Sequence, residues 1–186
     1  MPDVWLISGI PGAGKTTTGR LLAARFPRSA FIEGDLLQEW LVNGIVWPGD
    51  EPAAESERQM SLNVRNQCLL ARSYSEAGFT PVIDYVVVSG RLLDEYRRGL
   101  ADLALHFVVL HPGKGTVLAR EAARDKSVRH KAKHGVTIGE RFAHLEARML
   151  SRGSASGWTT RELPRQRRWT SACATGTARG SVDRGS

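Results

Sequence analysis

Apolar residues in this chain fall in short unbroken runs, and between the runs they recur with a helical spacing. Residues 4–8 open with Val4-Trp5-Leu6-Ile7, a run that predicts a buried strand. Over 17–26 the spacing becomes helical, with Leu21, Leu22 and Phe26 on the apolar side. Ala30-Phe31-Ile32-Glu33 reads as a second strand ending at Gly34-Asp35, followed by a short helix over 36–42 that Asn43-Gly44 stops. Trp47-Pro48-Gly49 marks a loop. A long helix is predicted over 53–76, with Met60, Val64, Cys68 (or Gln67) and Ala71 along one stripe and Gly78 as its stop. Residues 81–88 form the next apolar run, and its leading Pro81 is tolerated at the start of a strand. A helix over 92–100, a strand over 105–110, a helix near 115–124, a basic segment over 124–133 and a helix over 138–150 complete the series. Strands that are apolar throughout are covered on both faces, and alternation with helices implies crossover connections. The pattern therefore predicts an α/β fold of three layers, a parallel sheet with helices on both faces.

Past Leu150 the pattern stops. Residues 151–186 are rich in Ser, Gly, Thr and Arg with neither period, so they bury too little to offset chain entropy and are expected to be disordered. The expected division is a folded domain at 1–150 and a tail at 151–186. Such a fold calls for a final strand and helix where the tail stands. A permitted codon choice for 157–161, read one base back, continues as Leu-Asp-Asn-Ser-Gly-Thr-Ala-Pro-Ala-Glu-Thr-Val-Asp: a strand end, a turn and a Pro-started helix. The expectation is a frameshifted tail, with a native disordered Arg-rich tail as the alternative, and the nucleotide sequence decides between them.

Charge follows the same division. The net charge is +7, but residues 151–186 hold seven Arg against Glu162 and Asp183, which leaves +2 for residues 1–150. The body has no basic platform interleaved with aromatics for stacking bases, so a nucleic-acid partner is not expected. Cys68 and Cys173 are too few for a disulfide framework, and no run approaches the ~20 apolar residues that span a bilayer. The expectation is a cytoplasmic protein without membrane contact, a monomer or homodimer.

Between the first strand and first helix stands Gly9-Ile10-Pro11-Gly12-Ala13-Gly14-Lys15-Thr16, which matches G-x-x-x-x-G-K-S/T, the loop that wraps the phosphates of ATP or GTP. Glycines let successive backbone N–H groups converge on one anion, and the helix start adds partial positive charge. Lys15 reaches the β- and γ-phosphates, the Thr16 hydroxyl is a ligand for Mg²⁺, and Thr17 is grouped with the loop as nucleotide-binding. GTPases need a D-x-x-G after a strand and an N-K-x-D; Asp84 is followed by Tyr85-Val86-Val87, and N-K-x-D does not occur. Larger ATPases need inserts that 150 residues hardly accommodate. Small kinases place an acid after strand 2 and a basic lid late in the chain, and both are present. Asp84, ending an apolar strand, stands where a carboxylate holds Mg²⁺ directly or through water. Arg120 and Arg124, four apart, share a helix face in a lid expected at about 120–137, and Lys126, Arg129, Lys131 and Lys133 continue the basic run.

The P-loop, the Gly34-Asp35 pair, the Val82-Ile83-Asp84 strand end and the Arg-Glu-x-x-Arg-Asp-Lys run from Arg120 to Lys126 together resemble the chloramphenicol phosphotransferase-like group of small P-loop kinases, beside the shikimate, gluconate and adenylylsulfate kinases. The similarity covers about residues 4–150 and departs at the tail, although the shifted frame resembles the group's usual ending. It implies a nucleoside monophosphate kinase-like P-loop NTPase whose last strand and helix are altered. It also implies Asp35 as general base or anchor for the acceptor hydroxyl, with ATP and Mg²⁺ as cofactors and closure of Arg120 and Arg124 over the transferring phosphoryl group. Glu33 is the weaker alternative to Asp35, and an N-cap on the following helix is Asp35's competing role. Arg20 reads as a surface residue. Trp40, Trp47, Met60 and Tyr85 are candidates to line an acceptor pocket, with a core role as the alternative. Arg58 and Arg65 are candidates for an anionic substrate, with solvent the stronger reading.

The leading functional expectation is transfer of the γ-phosphate of ATP-Mg to a hydroxyl of a small molecule. A nucleoside, nucleotide or polynucleotide kinase is the second, and an ATP-binding protein impaired by its altered C-terminus is the third.

Overall fold

The computed structural model describes residues 3–110. Four strands, β1 (Asp3–Ser8), β2 (Ser29–Glu33), β3 (Thr80–Asp84) and β4 (Ala104–Val109), form one parallel sheet in the order β2-β3-β1-β4. Helices α1 (Lys15–Ala23), α2 (Gly34–Glu39), α3 (Ala53–Glu76) and α4 (Gly90–Gly99) lie between them in the chain. The register sets Ile7 of β1 beside Asp84 of β3, and Asp84 beside Glu33 of β2. Three strands thus end level, and everything that follows them converges on one rim.

Alternation along β1 separates two cores. Val4 and Leu6 face a cluster with Val64, Cys68 and Ala71 of α3 and Leu92, Leu93 and Tyr96 of α4, while Trp5 and Ile7 face Ala23 of α1 together with Leu22 and Phe26. The sheet is therefore sandwiched by helices, as its uniformly apolar strands predict. This is the three-layer P-loop fold expected from the sequence.

Helix α3 spans Ala53–Glu76, as its pattern predicts, but it buries two stripes. Val64, Cys68 and Ala71 make the apolar one; Ser56, Gln59, Asn63 and Gln67, spaced three and four apart, make an uncharged polar one that is equally buried.

Three elements end three or four residues earlier than expected. Helix α1 begins at Lys15 rather than residue 17 and closes at Ala23, because Gly14 takes a left-handed φ of 91° and starts the turn directly from the loop. Helix α2 begins at Gly34 rather than 36 and ends at Glu39. Strand β3 stops at Asp84, four residues before the apolar run ends, since its neighbours stop at Ser8 and Glu33 and leave no ladder to continue. Tyr85 and Val87 are buried all the same, and their amides bond to the Ile7 carbonyl at 3.2 Å and the Ser8 hydroxyl at 2.9 Å. The elements expected near 115–124 and 138–150, the lid near 120–137 with Arg120, Arg124, Lys126, Arg129, Lys131 and Lys133, and the tail from 151 lie outside the described residues, as does the question of a final strand. No described helix is long and apolar enough to cross a membrane.

Candidate active site

The loop between β1 and α1 is shaped by three glycines with positive φ, Gly9 at 147°, Gly12 at 82° and Gly14 at 91°. Side-chain-bearing residues rarely adopt these values. The Ala13 amide closes a tight turn on the Ile10 carbonyl at 3.0 Å. Ile10 and Ala13 are buried, so the loop is anchored by its apolar residues. The first amides of α1 have no partner within the helix, and no acidic residue sits in its first turn to compete for them. That end is electrostatically suited to an anion.

Lys15 and Thr16 are the first residues of α1 and point across the sheet end. The Thr16 hydroxyl donates to Asp84 Oδ2 at 2.6 Å. Lys15 Nζ approaches the Ile10 carbonyl at 3.5 Å. Asp84 is 7% exposed. Burial raises its carboxyl above the ordinary range; the Lys15 ammonium and the Thr16 hydroxyl oppose that, while the charges of Asp35 and Glu33 add to it. The buried Asp84 carboxylate and the Thr16 hydroxyl in contact make a small set of hard oxygen donors, and the charges of Asp35 and Glu33 felt there add to its preference for positive charge. Mg²⁺, which binds one or two protein oxygens and keeps several waters, fits that set.

Glu33 and Asp35 diverge. Glu33 pairs with Arg20 of α1, whose guanidinium also lies over the Phe31 ring at 4.8 Å from its centroid. Arg20 is exposed, as its position on α1 predicts, and Glu33 is occupied. Asp35 lies in the first turn of α2 and is exposed. The capping alternative for Asp35 is not what the structure shows: the N-cap is Glu33, without a side-chain cap bond, because α2 starts two residues earlier than its pattern suggests. Asp35 has therefore no backbone amide to satisfy, and its charge is felt at both Asp84 and Tyr85.

The acceptor-pocket candidates separate. Tyr85 is 3% exposed, Met60 is partly buried against the same core, Trp47 is half-buried and Trp40 is 69% exposed. Arg58 is held by Glu55 through two bonds of 2.7 Å, and Arg65 is exposed. The Tyr85 hydroxyl is buried and has no hydrogen-bond partner among the described residues. An unsatisfied buried hydroxyl costs about 1–3 kcal/mol, so Tyr85→Phe should leave thermal stability unchanged or raise it. A fall in Tm of several degrees by calorimetry would show that the hydroxyl has a partner after all.

What sequence reading missed is the polar stripe of α3. Asn63 Nδ2 donates to the Gly34 carbonyl at 2.8 Å and to Gln38 Oε1 at 3.2 Å. Gln67 Nε2 donates to Asn63 Oδ1 at 2.7 Å, and the Tyr96 hydroxyl donates to Gln67 Oε1. Gln38 Nε2 donates in turn to Gln59 Oε1 at 3.1 Å and to the Val46 carbonyl at 3.2 Å. The available signal was four uncharged polar residues at helical spacing with the charged residues of α3 lying off that line.

A family model described as AAA domain matches residues 6–141. No curated protein matches the chain in sequence. Among solved structures, the APS kinase of Mycobacterium tuberculosis in complex with AMPPNP and APS is similar at 17% identity, over 72% of this chain and 75% of that one, with a TM-score of 0.57. A sugar kinase from Janibacter sp. is similar at 18% identity over 67% and 68%, with a TM-score of 0.50. The tunicamycin resistance protein of Deinococcus radiodurans is similar at 20% identity over 80% and 95%, with a TM-score of 0.50. At such identities the likeness is one of fold.

Proposed function

This chain belongs to the AAA domain family, and from that premise we propose that it is an ATP-dependent phosphotransferase acting on a hydroxyl of a small molecule. The observation that carries the reading is the level rim of strand ends. It sets the phosphate loop, the Thr16–Asp84 pair and the uncommitted carboxylate of Asp35 within one electrostatic neighbourhood. A fold shared with an APS kinase and a sugar kinase supports it.

In this reading the loop amides and the α1 N-terminus hold the phosphates of ATP, and Lys15 neutralises charge on the group being transferred. Thr16 and Asp84 would hold Mg²⁺, which supplies the remaining charge neutralisation when bound. Asp35 accepts a hydrogen bond from the acceptor hydroxyl, orients its oxygen toward the γ-phosphorus, and takes the proton as the new P–O bond forms and the bond to the ADP oxygen breaks. Glu33 does not serve in that role because Arg20 holds it. Arg120 and Arg124 are proposed to close over the transferring group.

The test is ADP release by the purified protein across a library of hydroxylated small molecules, with Lys15→Ala as the blank. Acceptor-stimulated release that falls by about 10²–10⁴-fold in Asp35→Asn is the expected result. Release no greater than the blank for every acceptor would overturn the reading, and retained ATP binding would then leave a nucleotide-binding protein without turnover.

A further inference from the structure

Helix α2 carries Asp35 but has little to hold it in place by itself. It is six residues long and has no side-chain cap, and helices this short are not stable in isolation. Its exposed side holds Asp35, Leu36, Glu39 and Trp40; only Leu37 and Gln38, with Gly34, are buried. A single buried leucine fixes distance but not orientation. Directional contacts do that here. The Gly34 carbonyl, one residue before Asp35, receives Asn63 Nδ2 at 2.8 Å, and one turn later the Gln38 amide meets the same Asn63 at 3.2 Å. Asn63 is itself oriented by Gln67, and Gln67 by Tyr96 of α4. All four side chains are at most 3% exposed. Each amide has a fixed donor and acceptor end, so the row accepts only one arrangement of α2 against α3 without leaving a buried group unpaired.

We propose that Asn63 is a positioning residue for the phosphoryl transfer. Backed by Gln67 and Tyr96, it fixes the first turn of α2 and thereby the direction of the Asp35 carboxylate toward the phosphate loop. The proposal rests on the reading of Asp35 as the acceptor-side carboxylate. Asn63 touches neither nucleotide nor acceptor in it and acts through the Gly34 backbone.

The experiment compares the full-length protein with Asn63→Leu and Tyr96→Phe. It reads hydrogen exchange of the α2 backbone beside acceptor-dependent kcat, the KM for ATP and Tm. In Asn63→Leu, exchange in α2 should rise at least about fivefold, the effect of losing even one of the two buried hydrogen bonds that Asn63 makes to α2. The kcat should fall between about 10- and 100-fold, with the KM for ATP within twofold of wild type, because misplacing a reacting group by an ångström costs that much while the phosphate loop is untouched. A purely structural role would lower Tm and leave kcat per folded molecule unchanged. Should Asn63→Leu fail to fold, Tyr96→Phe decides, since it removes only the far hydroxyl of the row; faster exchange in α2 than in α1 is then the expected result. Unchanged α2 exchange or unchanged kcat in a folded variant overturns the proposal. A wild-type protein without acceptor turnover refutes the kinase reading separately, and exchange still reports whether Asn63 fixes α2.

Discussion

Lys15→Ala is expected to reduce phosphoryl transfer by about 10²–10³-fold, the usual effect of removing one preorganised donor from developing charge. Lys15 is the first residue of α1 and stands beside both the Ile10 carbonyl and Asp84. No other lysine occurs among the described residues. The same change has a second consequence through Asp84. Its carboxyl is already raised by burial, and Lys15 is the largest influence opposing that. Without Lys15 the folded-state pKa moves further above the unfolded value. The stability linked to that carboxyl is fully present below the unfolded pKa and is lost as pH rises through the folded one. The Tm deficit of Lys15→Ala relative to wild type should therefore be larger at pH 8 than at pH 5. Equal deficits at both pH values, or retained acceptor turnover, would refute this account of Lys15.

Gly34→Ala is expected to lose about 3 kcal/mol or fail to fold, the upper end of what overpacking a buried site costs. A Cβ there would lie 2.3 Å from Tyr85 Cδ2 and 2.5 Å from Gln67 Nε2. Neither neighbour can retreat: Tyr85 is enclosed by the α3–α4 core, and Gln67 is bonded to both Asn63 and Tyr96. Gly44→Ala makes the comparison, since Gly44 has a φ of 72° but nothing within 4 Å. Its cost is conformational alone, about 1 kcal/mol. Urea midpoints measure both, and a Gly34→Ala protein as stable as Gly44→Ala would show that the Tyr85–Gln67 wall gives way.

The sheet and its helices were legible because each rests on a pattern with one physical meaning. Runs such as Val4–Ile7 are covered on both faces, and the stripe through Val64, Cys68 and Ala71 packs on the sheet. The phosphate loop was legible because glycines at Gly12 and Gly14 are required by their positive φ. The errors arise where burial and secondary structure part company. Tyr85 and Val87 are buried without being strand, because the loop after β3 is covered from below by α3 and α4. Asp35 sits inside α2 rather than capping it, because the helix is started by tertiary bonds to Gly34 rather than by a cap in its own sequence. The row on α3 was invisible for a related reason: glutamine and asparagine at helical spacing look like a solvated face until their partners on α2 and α4 are known.

The row from Tyr96 to Gln59 holds no group that exchanges a proton near neutrality. Four of its members are amides, Tyr96 is pushed well above the ordinary tyrosine range by burial, and Glu55 at its far end is held down to about 2 by Arg58 and Gln59. The five side chains from Tyr96 to Gln59 are uncharged and buried, so that part of the support is silent to acidity near neutrality and nearly silent to ionic strength. The acceptor-side helix should keep its place from about pH 5 to pH 9, so that whatever acidity dependence the chemistry displays belongs to the carboxylates at the rim and not to the frame that carries them.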